Sequence, residues 1–568
     1  MIKLIKKNLG FSIAVVTLIA NLGVTSIAYG AGATLPFLEY EAEHGITNAK
    51  IEGPSTKYLD WAAEASGRKY VKLDTTGQFV EWKSTATANS IVVRFSIPDS
   101  ASGKGIKETL SLYVNGVFKQ KITLDSQYAW NYGDFPWTNN PADGRGHKVF
   151  DEVGVLTNEE IPAGATIKLQ KDNDDNSPYY IIDLMDLEKV TPIKEPLNSL
   201  SITSFGAIAN DGIDDSQAIK DTINAAKQQN KIVWIPTGDF NIENEQIKID
   251  NVTIKGAGMW FSKFVGLRSG FRLDGDNCKL YNFSVRGVME NVKWRDDNSP
   301  VDSAFEGFGG KGSVLDGIWV EHKKCGFWVG GKTDGLVITN SRFRNLMADA
   351  VNFCNGTSNS IVSNTHVRYS GDDSLATWSP GDGLGGNHNI FDSNTIQLPW
   401  LANGIAIYGG SNHVITNNLI SDTVTGGAGI YISSNFKPVP LTGTITVEGN
   451  VLNRCGSNEH YLEHAPGALW VNGHNSDIVD ATINMKNNII NDATTAGITI
   501  QGPKRTLNIN ISDTTVNGTS GYGLLIQGNS TGNMSVENLK ISNAEKGGIL
   551  NKASNKFKVW KLDGNVGW

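Results

Sequence analysis

Three aspartates pose the chemical question. Asp372 and Asp373 adjoin in the stretch GDDSLAT, and Asp349 stands upstream of them in MADAVNF. Neighbouring carboxylates raise the cost of ionising one another, so such a group holds at least one proton to higher pH than an isolated acid does. A protonated and an ionised carboxyl side by side can cleave a glycosidic bond, the acid serving the leaving oxygen and its partner acting as base or nucleophile at the anomeric carbon. The same oxygens would suit a hard cation such as calcium. An isolated GDD is also an ordinary solvated turn.

The elements around the aspartates decide among these readings. From about residue 198 onward an anchor, mostly Asn, Asp or Gly, is followed three positions later by an apolar residue. The pairs are Gly317/Val320, Asn340/Phe343, Asn364/Val367, Ser393/Ile396, Asn417/Ile420, Gly449/Leu452, Asn487/Ile490, Asp513/Val516 and Asn538/Ile541. Each anchor precedes a short apolar strand such as GFWV, DAVNF, DSLAT, GIAIY or GALWV. Strand-rich units of about 23 to 30 residues without helices predict a parallel β-helix whose coils stack on one another. The consensus of a leucine-rich repeat is missing.

Just before these strands most coils carry Gly (Gly326, Gly404, Gly429, Gly467, Gly497, Gly523, Gly548), and two consecutive coils carry Asp349 and Asp373 instead. Equivalent positions in successive coils lie about 4.8 Å apart. Asp349 and Asp373 are therefore expected to stack, with Asp372 beside them. Trp328, Trp378, Trp400, Tyr408, Tyr431 and Trp470 lie on or near the same strands and could offer ring faces to sugars, although aromatic residues of a solenoid also serve as packing. His366, on the strand leading to the pair, is a further substrate-binding candidate. Glu459, His460, Glu463 and His464 have the composition of a metal cluster without its spacing.

Upstream, residues 35–190 read as short alternating strands separated by turn clusters, the pattern of an antiparallel β-sandwich. A Pro-containing connection, TPIKEPLNS, ends this domain. One helix is expected at 216–229, started by Asp214 and Asp215 and covering the N-terminal end of the β-helix, where unpaired strand edges need a cap. The fold class is thus all-β, a β-sandwich followed by a β-helix over 198–568.

Residues 1–31 have the layout of a secretory leader: Lys3, Lys6 and Lys7, an apolar stretch, then the small-residue run SIAYGAGA. A secreted, extracellular protein is expected, with no membrane span and no nucleic-acid partner, since the net charge is -8. A monomer is expected. Cys278, Cys325, Cys354 and Cys455 show no metal-like spacing, and either pairing or buried free thiols suits them.

The passage SFGAIANDGIDDSQAIKDTINAAKQQNKIVWIPTGDF resembles the start of pectate-lyase-like right-handed β-helix proteins. The three aspartates resemble those of the polysaccharide hydrolases in that superfamily. Polygalacturonases share a first Asp and a later Gly-Asp-Asp, but their downstream G-H-G and R-I-K motifs are absent here. The chain is more similar to glycoside hydrolase family 87, the bacterial α-1,3-glucanases and mycodextranases. The resemblance implies hydrolysis of α-1,3-glucosidic bonds in α-glucan with inversion and no catalytic cofactor. It gives Asp372 the role of general acid, and Asp349 and Asp373 the positioning and deprotonation of water. EYEAEHG, EASGRKYVKLDTTGQFVEW and YGDFPWTNNPADGRGHKVFDEV resemble calcium-containing β-sandwich carbohydrate-binding modules. That likeness implies a separable targeting domain, a structural calcium on Glu41, Glu43 and Asp183, and glucan contacts from Trp130, Tyr132 and Trp137.

Two other functions fit a β-helix. A polysaccharide lyase or polygalacturonase-like hydrolase would act on a uronate polymer, with Arg368 and Lys332 as the basic residues available to a lyase. A non-catalytic adhesin would use the aspartate column as a turn or metal feature.

Overall fold

The computed structural model describes residues 30–134, 137–288, 303–331, 333–457 and 466–568. Two antiparallel sheets come first. One has six strands, its path running Asp151–Ile161, Ala88–Ser96, Tyr180–Glu188, Tyr70–Leu73 and Lys50–Glu52, with Phe37–Glu41 also paired to Tyr180–Glu188. The other has five, ordered Ile46–Thr47, Phe79–Lys83, Thr166–Gln170, Lys107–Val114 and Val117–Asp125. Alternate side chains of both, among them Val71, Leu73, Val93, Leu110, Leu112, Ile167 and Leu169, meet in one buried core, as period-two strands in a sandwich require. Tyr180–Glu188 breaks the alternation, being buried along its whole length. Its second face is covered by the domain that follows.

That domain is the right-handed parallel β-helix, with long parallel sheets of 25 and 12 strands. The repeat in the sequence has a backbone cause. Every anchor sits at positive φ, from 46° at Asn364 to 69° at Gly449, a conformation that Gly, Asn and Asp tolerate best. The apolar residue three positions on returns to the interior, where Phe343, Val367, Ile396, Ile420, Leu452 and Ile490 form one continuous core. Beside the anchors, Asn394, Asn418, Asn450 and Asn488 stack into a buried ladder, each amide donating to the next at 3.0 Å.

Helix α1 (Ser216–Gln229) occupies the expected residues and turns Ile219, Ile223 and Ala226 onto the first coils. Its start differs in detail from expectation. Asp214 accepts from the Ser216 amide and hydroxyl, whereas Asp215 accepts from the backbone amides of Ile208 and Asn241 and so ties the helix to the coil.

The 12-stranded sheet includes, in order, β1 (Cys325–Val329), β2 (Val351–Cys354), β3 (Leu375–Trp378), β4 (Ile405–Tyr408), β5 (Ile430–Ser433) and β6 (Leu469–Asn472). On another face the sandwich is docked through a buried charge network. Arg368 contacts Asp186 at 2.6 Å and Glu152 at 3.0 Å, Arg344 reaches the same two acids at 2.9 Å each, and Arg342 meets Glu188 at 2.8 Å. Beside it a mixed apolar cluster joins Tyr70, Trp137, Val149, Phe150 and Ile181 to Met347, Tyr369, Leu398 and Trp400. All four cysteines are buried free thiols.

Candidate active site

Strand register brings the aspartates together. Val351 pairs with Leu375 and Leu375 with Ile405, so Asp349, Asp373 and Asn403, each two residues upstream, stand at one level in successive coils. The ladder continues through that level, with the Ala350 amide donating to the Asp373 carbonyl at 3.3 Å and the Ser374 amide to Asn403 at 2.8 Å. Most of the glycines expected in the aspartate column lie one residue later, level with Ala350 and Ser374. They are a neighbouring column, and Gly467 alone among those named shares the level of the acids. One carboxylate oxygen from each of Asp349, Asp372 and Asp373 lies within 4.8 Å of the others, and all three residues are buried.

Neighbours hold each acid in place. Asp373 accepts from the Asn403 side-chain amide at 2.7 Å and from its backbone amide at 3.1 Å. Burial first, and then the charge of Asp372, push the Asp373 carboxyl up to about 7, against the opposing hydrogen bonds from Asn403 and Tyr408. Asn352 donates to Asp349 at 3.4 Å and accepts from the Cys354 thiol at 3.2 Å.

The turn carrying Asp372 and Asp373 is clamped from the sandwich. Tyr369 enters it at φ 68°, an outlier for a bulky residue, and its hydroxyl donates to Glu64 at 2.5 Å. Glu64 also accepts from the backbone amides of Lys148 and Val149. Gly371 is required by close approach, because a Cβ there would stand 2.2 Å from the Trp400 ring.

Of the expected substrate contacts, Trp378, Tyr408 and Trp470 lie on the same sheet as the aspartates. Trp378 packs edge-on to Trp328, Tyr408 neighbours Asp373, and Trp470 stacks on Tyr431 at 4.1 Å. His366 and Trp400 do not belong to this face. His366 is buried against Phe37 and bonded to Gln397, with burial and then Arg344 and Arg368 holding it well below the usual imidazole range. Trp400 is buried between Trp137 and the turn at Gly371 and donates to the Leu346 carbonyl at 3.0 Å. It supports the site without facing sugar.

In the sandwich, Trp137 is wholly buried against Trp400 and His147, so it is interface and not ligand surface. Tyr132 is buried and donates to Asp99 at 2.7 Å. Trp130 remains at a surface, lining a cavity of about 440 Å³ with Tyr58, Trp61, Tyr70 and Arg145. Glu41 and Glu43 each keep one buried, unbonded carboxylate oxygen. Burial and then the Asp183 charge raise Glu41 to about 9. Those orphaned oxygens fit a cation, whereas Asp183 is already neutralised by Arg94 at 2.5 Å.

Arg368, buried in its ion pairs, is closed to proton abstraction. Lys332 and the residues Glu459, His460, Glu463 and His464 lie outside the described residues. Sequence reasoning missed Asn403, Asn352, Glu64 and Tyr369. Asn403 had a signal, since LANGIAIY aligns it with Asp373 in the next coil; Glu64 had none, being far away in sequence.

Two family models match the chain, the α-1,3-glucanase catalytic domain D1 over residues 34–190 and the α-1,3-glucanase catalytic domain D2 over residues 212–568. No match is found among curated protein sequences. Among solved structures, the Agl-KA catalytic domain is 31% identical with a TM-score of 0.86, covering 95% of this chain and 100% of that one. The catalytic unit of a thermostable GH87 α-1,3-glucanase from Streptomyces thermodiastaticus strain HF3-3 is 33% identical with a TM-score of 0.84, covering 95% and 98%. A GH87 α-1,3-glucanase catalytic domain in complex with nigerose is 28% identical with a TM-score of 0.82, covering 94% and 100%. With both of its domains matched and its fold shared along nearly the whole chain, this protein belongs to the α-1,3-glucanase family, glycoside hydrolase family 87.

Proposed function

We propose that the protein hydrolyses α-1,3-glucosidic bonds in α-glucan with inversion, using Asp349, Asp372 and Asp373. The observation that carries this reading is the buried triad, three carboxylates within 4.8 Å in a family of α-1,3-glucanases. Asp372 donates its proton to the leaving oxygen. Asp349 and Asp373, stacked one coil apart, hold a water between them, and Asp373 in its ionised form accepts its proton. Asn403 fixes the base through two hydrogen bonds. The leader-like N-terminus supports secretion, and Glu41 and Glu43 would hold a structural calcium.

The carboxylates stand closer than the gap of about 6.5–9.5 Å usual where two groups share an inverting reaction. Inversion here therefore rests on the division of labour among three. NMR of the first product formed tests it: inversion of an α-bond releases the β-anomer. Initial release of the α-anomer would instead make Asp349 or Asp373 a nucleophile and overturn the proposal. Asp→Asn at any of the three is expected to lower kcat by at least about a hundredfold, the scale of losing an acid or base. Partial recovery on a substrate with an activated leaving group is expected only for Asp372→Asn. If the triad were a cation site instead, a chelator would abolish wild-type activity and all three Asp→Asn variants would lose thermal stability together.

A further inference from the structure

Each of the two stacked aspartates has an asparagine of its own. Asn403 reaches Asp373 from the next coil, whereas Asn352 reaches Asp349 from the same coil, three residues further along the chain on β2. Val351 and Phe353 turn into the core, so Asn352 and Cys354 share the other face of that strand. Both are nonetheless buried. Asn352 holds a position that the next two coils fill with Ala376 and Ala406, which offer only a methyl group. A buried amide is costly unless its hydrogen bonds are made, and this one makes them: Nδ2 donates to Asp349 at 3.4 Å, and Oδ1 accepts from the Cys354 thiol at 3.2 Å.

The thiol decides which way round the amide lies. Burial and then the charge of Asp349 push Cys354 well above the usual thiol range, so the sulfur keeps its proton and serves as a donor. A donor at that end draws the amide oxygen and leaves the N–H bonds toward Asp349. An N–H aimed at a carboxyl group favours its ionised form. Reversed, the amide would present its oxygen to Asp349, which only a protonated carboxyl could meet.

We infer that Cys354 and Asn352 are positioning residues that hold Asp349 in its ionised form, so that the proton kept by the crowded triad resides on Asp372 or Asp373. Ionised Asp349 then accepts a hydrogen bond from the attacking water. The inference rests on the triad reading above and adds what sorts the protons within it. Among the described residues, the titratable groups around Asp349 are Asp372 and Asp373 on the turn before β3, Cys354 itself, and Lys324 and Cys325, which stand level with Ala348 and Asp349 on the preceding coil. All but Cys354 stay in place in the variants that test the pair.

The test is a carboxyl-carbon NMR titration of the full chain labelled at aspartate Cγ, with the Asp349 signal assigned by its loss in Asp349→Asn. In Cys354→Ala and in Asn352→Ala the Asp349 titration is expected to move to higher pH by about half to one unit, the scale of one lost hydrogen bond. Cys354→Ser, which keeps a donor, should titrate as the wild type does. The double variant should shift no further than Asn352→Ala, because the thiol acts only through the amide. Since neighbouring acids titrate as a coupled group, the acid limb of kcat/KM should shift in the same order. An unshifted Asp349 titration in Cys354→Ala, whatever its Tm, would reduce the pair to packing and overturn the inference, as would shifts that add in the double variant. The titration needs no substrate, so a wild type inactive on α-1,3-linked glucose oligomers overturns the glucan reading alone.

Discussion

At the scale of single residues the site is a problem in proton placement. Asp373 is raised to about 7 by burial and by Asp372, while hydrogen bonds from Asn403 and Tyr408 favour its ionised form. A base works only when ionised, so activity should fall as pH drops through the pKa of Asp373. Tyr408→Phe removes a bond to the ionised form and raises that pKa further. The acid limb of kcat/KM is then expected to move to higher pH by about half to one unit, as for a hydrogen bond of about 1 kcal/mol. An acid limb that stays in place in Tyr408→Phe would show that another group sets it. Asn403 carries a lesson about reading repeats: it fills the aspartate column of the next coil with a neutral donor, which lets two acids persist beside each other.

At the scale of elements, the turn bearing the acid is held from outside the β-helix. Tyr369 keeps its positive φ because Glu64, on a short 3₁₀ turn of the sandwich, accepts its buried hydroxyl. Glu64→Ala would leave that hydroxyl and two backbone amides without an acceptor, at about 1–3 kcal/mol for each group stranded. Thermal stability should fall, and kcat at temperatures well below the new Tm should drop at least about tenfold as Asp372 shifts. Glu64→Gln, which retains an acceptor oxygen, should be milder on both counts. Lower stability with wild-type kcat would restrict Glu64 to folding. None of this was legible in the sequence, because no local pattern links a glutamate near residue 64 to a turn near residue 370.

For the whole molecule, the sandwich and the β-helix share one interface, and that bears on whether the first domain is a removable targeting module. A detachable module would leave hydrolysis of soluble oligosaccharides intact when deleted. Here deletion of residues 34–190 would uncover Trp319, Tyr369, Leu398 and Trp400 and strip Arg342, Arg344 and Arg368 of their acids. The truncated protein is expected to aggregate, or to lose at least about a hundredfold in activity even on soluble oligomers. Full activity on them would restore the module reading. The same junction carries Glu41 and Glu43, whose carboxylates lie near the Ser66–Gly67 loop and each keep one unbonded oxygen. Calcium at about a hundredfold above its Kd should stabilise by about 2.7 kcal/mol, read as a rise in Tm that Glu41→Gln abolishes. An unchanged Tm in calcium and in chelator would rule the site out.

The sequence by itself determined the architecture and the stacking of the aspartates. Anchors that tolerate positive φ, an apolar residue three positions later and strands of period two are local requirements of a coil, so the repeat, the stacking of Asp349 on Asp373 and the helix at 216–229 could all be read along the chain. Which aromatic and ionic side chains face substrate was decided only by tertiary structure. Trp137, Trp400, His366 and Arg368 have the residue types of a binding site, and a strand exposes one face as readily as the other until something packs on it. The docked sandwich covers the face that holds His366 and Arg368, together with the turn beside it, and makes them interior; on the 12-stranded sheet Trp328 stays partly exposed, while Tyr408 is buried. Burial is a property of what lies across the surface, and the chain that lies across this one comes from 182 and 219 residues away.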